Sequence, residues 1–292
     1  MNFWRTADNP WGEEVLIGVS WDLMWLAIIG SVLFLIGHAL WVRTRPAEAH
    51  EEVSAAAAAA IPEKIERHSL GARAFHWLMA IAMLTLLVTA FVPVIGIQFD
   101  WVPLHWMAGV LLIATVVYHV IHAIGWQDFW SMFQLGVAEG TATIRHVLSA
   151  KAPSPPKAGK YAFDHRMYHH AIVVTTLSAI VTGALMMVRI DTPFWTRNPY
   201  LFGDTTWGVM YVVHGLSGVS LILLVAAHIY FAVRPEKRWM LWSMVYGFID
   251  REKYLEHFDP AKWPVGSAST SRSVEGGTGA LADASVSARR DD

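Results

Sequence analysis

Residues 207–233 read WGVMYVVHGLSGVSLILLVAAHIYFAV, an apolar stretch that contains no Asp, Glu, Lys or Arg. About 20 such residues let a helix cross the hydrocarbon core of a bilayer. Because lipid offers the backbone no hydrogen-bond partners, a continuous apolar run of this length indicates a helix. The stretch therefore predicts a membrane span, and the two histidines inside it, His214 and His228, need a functional reason to be there.

Four further apolar stretches precede it, and none of them contains Asp, Glu, Lys or Arg. They cover residues 23–42, 77–97, 102–125 and 167–188. Only 16% of the chain is charged and 54% is hydrophobic, whereas soluble chains carry about 25% charged residues. The sequence therefore predicts an all-α integral membrane protein with five transmembrane helices.

Lysine and arginine are unevenly distributed between the loops. The basic residues concentrate in 43–75, in 126–166 and after residue 233, whereas the opposite side has Arg5, Arg189 and Arg197. Short basic loops face the cytoplasm. We therefore expect a multi-pass protein of the cell inner (plasma) membrane, with its N-terminus outside and its C-terminus in the cytoplasm.

Composition divides the chain into five parts. An N-terminal segment with an extra span (1–45) precedes an alanine-rich cytoplasmic linker (46–68) and a core with four spans (69–235). An amphipathic cytoplasmic surface segment (236–264) and a tail rich in Gly and Ser (265–292), predicted to be disordered, follow the core. The net charge of −2 provides no basic field for a nucleic acid partner.

The chain has 14 histidines and no cysteine. The absence of cysteine excludes disulfides, thiolate metal sites, iron–sulfur clusters and thioether-attached haem in this chain. Any metal must therefore be held by histidine. Eight histidines lie in or at the ends of the spans: His38, His76, His105, His119, His122, His170, His214 and His228. His169 directly precedes His170.

The spacing of His214 and His228 indicates two stacked binding sites. They are 14 residues apart, which is close to four helical turns, so they project from about one face roughly 21 Å apart along the axis. Two haems stacked across a bilayer need this spacing. The second axial ligands at matching depths are His105, at the outer end of the third span, and His76, at the inner end of the second.

The outer pair, His105 with His214, has a glycine one turn after each histidine, Gly109 and Gly218. Residues four apart lie on one face of a helix. A glycine in that position has no Cβ and lets a porphyrin approach the backbone.

A weak internal sequence repeat leaves two candidates for the second ligand of the inner haem. His105 and His119 repeat the 14-residue spacing, Arg73-x-x-His76 resembles Arg166-x-x-His169, and a threonine follows each of these last two histidines by 13 residues. This weak duplication permits His119, in place of His76, to bind the inner haem together with His228.

With these residues in place, the chain resembles the cytochrome b (gamma) subunit of respiratory formate dehydrogenases, within a wider group that includes the cytochrome b subunits of nickel–iron hydrogenases. The resemblance covers about residues 68–263. It rests on RAFHW (73–77), LHWMAG (104–109), GKY (159–161), VHGLSG (213–218), AHIY (227–230) and GFIDREKYLEHFDPAKW (247–263).

The resemblance implies a four-helix core with two b-type haems bound by His76, His105, His214 and His228. It also implies a quinone site next to the inner haem, and two soluble partners outside the membrane. These partners are an iron–sulfur subunit and a molybdopterin or tungstopterin catalytic subunit. The extra first span departs from the four-span pattern of the family.

The loop after the Gly-Lys-Tyr motif also departs from the family, because Ala162-Phe163-Asp164-His165 stands where Asn, Gly and Gln are usual. The candidates for contact with the quinone or its protons are Tyr161, Asp164, His165 and His169. Arg73 and Arg166, which begin two of the spans, are candidates for pairing with haem propionates on the inner side.

The sequence thus predicts a non-catalytic electron-transfer subunit, with a possible quinone-reducing site, that links an outer oxidoreductase of the formate dehydrogenase type to the quinone pool. A nickel–iron hydrogenase is the alternative partner. A metal transporter or assembly factor is the alternative from another class. Transporters usually place acidic residues at mid-membrane, and the spans here have none.

Overall fold

A computed structural model describes residues 2–44, 59, 61–127, 129–149 and 152–265. Most of the predicted linker (46–68) and nearly all of the predicted tail (265–292) lie outside these residues. The fold described below is that of the remaining chain.

Five long helices dominate the structure, and each is long and apolar enough to cross a membrane. They are α1 (Trp21–Arg43), α2 (Leu70–Phe91), α3 (Trp101–Trp126), α5 (Phe163–Met186) and α6 (Asp204–Val233). The serines that precede α1 and α2 cap them by accepting backbone N–H hydrogen bonds. The prediction of an all-α membrane protein with five spans is confirmed.

The described residues also form three shorter α-helices, α4 (Val137–Leu148), α7 (Arg238–Tyr246) and α8 (Arg251–His257), and three short 3-10 helices, Pro93–Ile95, Phe129–Met132 and Met187–Arg189. Helix α7 lies within the segment 236–264 that was predicted to be an amphipathic surface segment. Gly247 ends this helix in the left-handed conformation with φ 92°, which a residue with a Cβ rarely adopts.

The core is a four-helix bundle of α2, α3, α5 and α6. Helix α2 packs along α3, and α5 packs along α6, whereas α3 meets α5 and α2 meets α6 over shorter stretches. Helix α1 lies outside the bundle against α6. Ala82, Met83, Leu112 and Leu221 form the buried apolar cluster in the middle of the bundle.

An antiparallel hairpin, which the sequence analysis did not predict, precedes α1. Its strand β1 (Trp4–Asp8) pairs with β2 (Glu14–Val19), and β2 lies against the first half of α6. A Cβ at Gly208 would meet the Leu16 Cβ at 2.8 Å. Glycine at this position therefore permits the close approach, and we call this end of the bundle the hairpin side.

A small folded body covers the opposite end, which we call the C-terminal side. Strand β3 (Lys64–Glu66) pairs with β4 (Phe248–Asp250). Strand β4 packs with α7 and α8, and β3 packs with α8. Their side chains bury the cluster Ile65, Ile249, Tyr254, Leu255 and Phe258. The end of the predicted linker therefore folds together with the predicted surface segment.

Candidate functional site

The first histidine pair lies toward the hairpin side, between α3 and α6. The rings of His105 and His214 have centroids 6.2 Å apart and planes inclined by 71°. Because a metal–imidazole bond is about 2.0–2.1 Å long, two imidazoles that bind one ion from opposite sides have centroids about 6 Å apart. The observed separation suits a pair that shares one metal atom.

A threonine from the adjacent helix holds each ring of this pair. Thr89 Oγ1 lies 2.8 Å from Nδ1 of His105, and Thr182 Oγ1 lies 3.0 Å from Nδ1 of His214. Each hydroxyl donates its own hydrogen to a carbonyl four residues earlier in its helix, at 2.7 and 2.6 Å. The hydroxyl must therefore accept a hydrogen bond from Nδ1–H, which leaves Nε2 unprotonated and able to bind a metal.

The second pair lies toward the C-terminal side, between α2 and α6. The ring centroids of His76 and His228 are 6.3 Å apart. Tyr168 stacks on the ring of His228 at 5.3 Å, and Trp77 contacts His76 edge-on at 5.4 Å. These aromatic neighbours fix the orientation of the two imidazoles.

The rival inner ligand, His119, faces a different histidine. Its ring lies 6.4 Å from that of His169 in α5, whereas the histidine facing His228 at 6.3 Å is His76. The choice of His76 as the inner ligand stays a prediction, and the geometry favours it over His119.

The two glycines predicted to face a porphyrin have different surroundings. A Cβ at Gly109 would meet nothing within 4 Å, whereas one at Gly218 would contact Phe91 at 3.4 Å. A third glycine, Gly183, allows the His214 ring to lie where it does, because a Cβ there would meet that ring at 3.1 Å. Open space thus exists next to Gly109, one turn after His105.

The predicted propionate partners, Arg73 and Arg166, already make protein contacts on the C-terminal side. Arg73 Nη1 donates a hydrogen bond to the Val245 carbonyl at 2.6 Å, and Arg166 forms an ion pair with Glu139. The Nε atoms of both arginines are nevertheless buried without a hydrogen-bond partner, as is Nη1 of Arg67. These three guanidinium atoms thus have no hydrogen-bond partner among the described residues.

Arg67 and His68 lie outside the spans, next to this cluster. Burial lowers the pKa of Arg67 to about 10, and burial together with the positive charge of Arg67 lowers the pKa of His68 to about 3. His68 is therefore neutral at physiological pH. Its Nε2 accepts a hydrogen bond from Arg67 Nε at 3.2 Å.

Four residues were predicted to serve a quinone or its protons, and the structure places them at the start of α5 and just before it. Asp164 and His165 have side-chain atoms 4.0 Å apart, and Lys160 lies 5.7 Å from the ring of Tyr161. His169, one turn further along α5, faces His119. Asp164 and His165 therefore lie at the end of the bundle that carries the His76–His228 pair.

Sequence reasoning missed the contacts that orient the ligands. It noted that Thr89 and Thr182 follow a histidine by the same 13 residues, and that repeat was the available signal. It assigned no role to either hydroxyl, to Gly183 or to Tyr168. Such contacts depend on how neighbouring helices are rotated, which a single apolar stretch does not specify.

The described residues fit a haem group at each of the two pairs. Haem iron in a b-type site takes two axial imidazoles, and each pair offers two from facing helices. Threonine hydroxyls hold Nδ1 of the hairpin-side pair, and partnerless guanidinium donors lie on the C-terminal side. The donor set and the free space beside Gly109 suit a planar iron porphyrin.

A bundle of membrane helices with facing histidine pairs has the architecture of a membrane-embedded haem protein. Residues 67–247, more than half of the chain, match the family model described as prokaryotic cytochrome b561. The chain belongs to the prokaryotic cytochrome b561 family and is a multi-pass membrane protein of the haem b electron-transfer type. No curated protein matches the chain.

The match confirms the predicted resemblance at the level of a cytochrome b family. It begins after α1, so the hairpin and the extra span lie outside the matched residues.

Proposed function

We propose that this chain is the membrane-anchoring di-haem b subunit of a respiratory complex. In this role it transfers electrons between an extracytoplasmic iron–sulfur and molybdopterin oxidoreductase, similar to formate dehydrogenase, and the quinone pool. The proposal rests on the two facing pairs on α6, His105 with His214 and His76 with His228. The 14 residues between His214 and His228 correspond to about 21 Å of helix, which places the pairs toward opposite membrane surfaces.

Haem supplies one-electron chemistry when bound. The four imidazoles would hold the iron, and the hydroxyls of Thr89 and Thr182 keep two of them, His105 and His214, in the tautomer that leaves Nε2 able to bind a metal. The apolar residues of the bundle keep water away from the ligands, and such burial is one of the levers that set a haem potential.

The charge distribution of the loops supports the direction of the proposed path. It assigns the hairpin side to the outside, where the iron–sulfur subunit would dock, and the C-terminal side to the cytoplasm. Asp164 and His165 lie on the C-terminal side with Tyr161 before them in the chain. Their carboxylate and imidazole can hold and pass the protons that quinone reduction consumes.

A reduced-minus-oxidised spectrum of the purified chain tests the haem assignment. We expect a b-type α band with at least two haems per chain. The His214→Ala variant should lose one haem and retain the signal of the C-terminal side. His38→Ala is the matched control, because His38 lies in α1 outside the bundle and hydrogen-bonds Tyr230 at 3.0 Å. A wild-type protein without a b-type band would contradict the proposal.

The cytochrome b family match is also compatible with a second partner, a nickel–iron hydrogenase. Affinity purification of the tagged full chain from native membranes, followed by elemental analysis, separates the two candidates. Molybdenum or tungsten in the co-purified complex supports the formate dehydrogenase type, and nickel supports the hydrogenase.

A further inference from the structure

A third pair of facing histidines lies on the C-terminal side of the bundle, apart from the two pairs assigned above. His119 of α3 and His169 of α5 have ring centroids 6.4 Å apart and planes inclined by 74°. These values are close to the 6.2 Å and 71° of His105 and His214. We propose that His119 and His169 bind a further haem b, so that the chain carries three haems. The inference goes beyond the proposed function and rests on it only in requiring that the chain binds haem.

An internal two-fold repeat relates this pair to the C-terminal-side pair. Helices α2 and α3 form the first repeat, and α5 and α6 form the second. His76 in the first repeat is equivalent to His169 in the second, and His119 is equivalent to His228. Exchanging the two halves therefore converts the pair His76–His228 into the pair His169–His119. The two pairs have matching centroid separations of 6.3 and 6.4 Å.

The hairpin-side pair obeys the same repeat, which shows that the symmetry extends to individual contacts. Exchange of the halves converts His105 into His214, so this pair maps onto itself. The hydrogen bond that Thr89 accepts from His105 at 2.8 Å becomes the one that Thr182 accepts from His214 at 3.0 Å. One site would thus lie on the two-fold axis, and the other two would be related by it.

Aromatic neighbours repeat in the same way. Tyr168 of α5 stacks on His228 at 5.3 Å, and Phe75 of α2 lies against His119 at 4.4 Å. In each half the aromatic residue directly precedes the α2 or α5 histidine of the other pair. An aromatic ring therefore packs against His119 as one does against His228, although the ring beside His119 is a phenylalanine and lacks the hydroxyl of Tyr168.

A basic residue also stands at equivalent positions beside both pairs. Arg73 precedes His76 by three residues, and Arg166 precedes His169 by three. The Nε atom of each arginine is buried without a hydrogen-bond partner. Each C-terminal-side pair therefore has a partnerless guanidinium donor one helical turn before one of its histidines, and such donors pair well with a carboxylate such as a haem propionate.

The packing of the bundle provides a comparable interface for both pairs. Helices α2 and α6 meet over a short stretch, and so do α3 and α5, while the other neighbours pack along much of their lengths. His76 and His228 lie across the first of these looser interfaces, and His119 and His169 lie across the second.

The ligand chemistry favours a porphyrin over a bare metal ion. A structural zinc site needs four converging ligands. Within the ranges that the structure describes, no group of three or more His, Asp or Glu side chains is arranged to hold an ion. Two opposed imidazoles are instead the axial set of a haem iron, whose four equatorial ligands come from the porphyrin.

The haem-to-protein ratio of the purified full-length chain tests this inference separately from the proposed function. A ratio near three, with three one-electron components in a redox titration, is the expected result. A ratio of two overturns the third site and leaves the di-haem proposal intact. A protein without haem overturns both.

Variants identify which histidines bind the additional group. His169→Ala and His119→Ala should each lower the ratio by one, and His76→Ala should remove a different redox component. His122→Ala is the matched control, because the His122 ring stacks on Tyr118 and Trp126 of its own helix at 5.6 and 5.8 Å. If His169→Ala retains all haem, the assignment is wrong.

A substitution that keeps an iron-binding side chain tests the same site even if the alanine variants misfold. His169→Met retains an iron-binding side chain, and histidine–methionine ligation raises the potential of a haem. One component of the redox titration should therefore shift to higher potential while the others stay in place. An unchanged titration would overturn the role of His169.

Discussion

At the scale of single residues, the assignment of the hairpin-side pair depends on which imidazole nitrogen carries the proton. Thr89 and Thr182 settle this for His105 and His214, because each hydroxyl already donates to a carbonyl of its own helix and must accept from Nδ1. Outer-sphere hydrogen bonds of this kind fix the tautomer of a metal-binding histidine and raise its basicity. The threonines orient the two imidazoles and would act on a bound metal only through them.

Thr182→Val tests this role with little change in shape. The variant leaves Nδ1 of His214 without its 3.0 Å partner, so we expect haem affinity at the hairpin-side pair to fall about 10- to 100-fold. Haem titration of the apoprotein with a midpoint-potential measurement reports the change. Thr182→Ser should behave like the wild type, since it keeps the hydroxyl.

Thr175→Val is the control for the loss of a threonine from the same helix. The Thr175 hydroxyl donates to the Ala171 carbonyl at 2.8 Å on an exposed face of α5. If both valine variants reduced haem binding equally, the hydroxyl of Thr182 would have no special part in orienting His214.

At the scale of elements, the long apolar helices could be predicted and the short strands could not. Each span is a continuous run whose composition alone separates it from the loops, so the predicted bounds of α1, α3 and α6 lie within about three residues of the observed ends. Helix α2 begins and ends several residues earlier than the predicted 77–97. Strands β3 and β4 are three residues each and pair across most of the chain. No local pattern in the sequence records such a distant pairing.

In the candidate site, too, some features could be predicted from the sequence and others could not. The depth of each histidine follows from its position along a span, so the pairs at two heights could be predicted from spacing alone. Which histidines face each other depends on the rotation of each helix about its axis. The sequence therefore left His119 and His76 as rivals, and the fold places each opposite a different partner, His169 and His228.

The hairpin gives a prediction at this scale. In Gly208→Ala the new Cβ would meet the Leu16 Cβ at 2.8 Å and its carbonyl oxygen at 2.9 Å, which is overpacked. Strand β2 must therefore shift away from α6. We expect weaker hydrogen-exchange protection of the amides in Glu14–Val19.

Gly30→Ala provides the matched control, because a Cβ at Gly30 in α1 would meet nothing within 4 Å. Both substitutions replace a helical glycine and gain about 1 kcal/mol of helix propensity. A difference between them therefore reports on the contact with the hairpin. Equal protection of β2 in the two variants would argue against close packing of the hairpin on α6.

At the scale of the whole molecule, the two ends of the bundle differ in structure and in charge. The hairpin covers one end, and the body built from β3, β4, α7 and α8 covers the other. Basic residues concentrate in the loops of the second end, which is the cytoplasmic pattern. The proposed path from an outer iron–sulfur subunit to a quinone site near Asp164 requires this orientation.

Single cysteines can test the orientation, because the chain contains none of its own. Trp11 in the hairpin and Tyr246 on the C-terminal side are 77% and 64% exposed, so either position should accept a cysteine that reacts with a membrane-impermeant thiol reagent. The reagent is added to cells whose outer layers have been removed and whose inner membrane is still sealed. We expect Trp11→Cys to be labelled under these conditions and Tyr246→Cys to be labelled only after the membrane is permeabilised. The reverse pattern would place the His105–His214 pair toward the cytoplasm. It would then require the soluble oxidoreductase to dock on the cytoplasmic surface, which would contradict the proposed arrangement while leaving the histidine pairs intact.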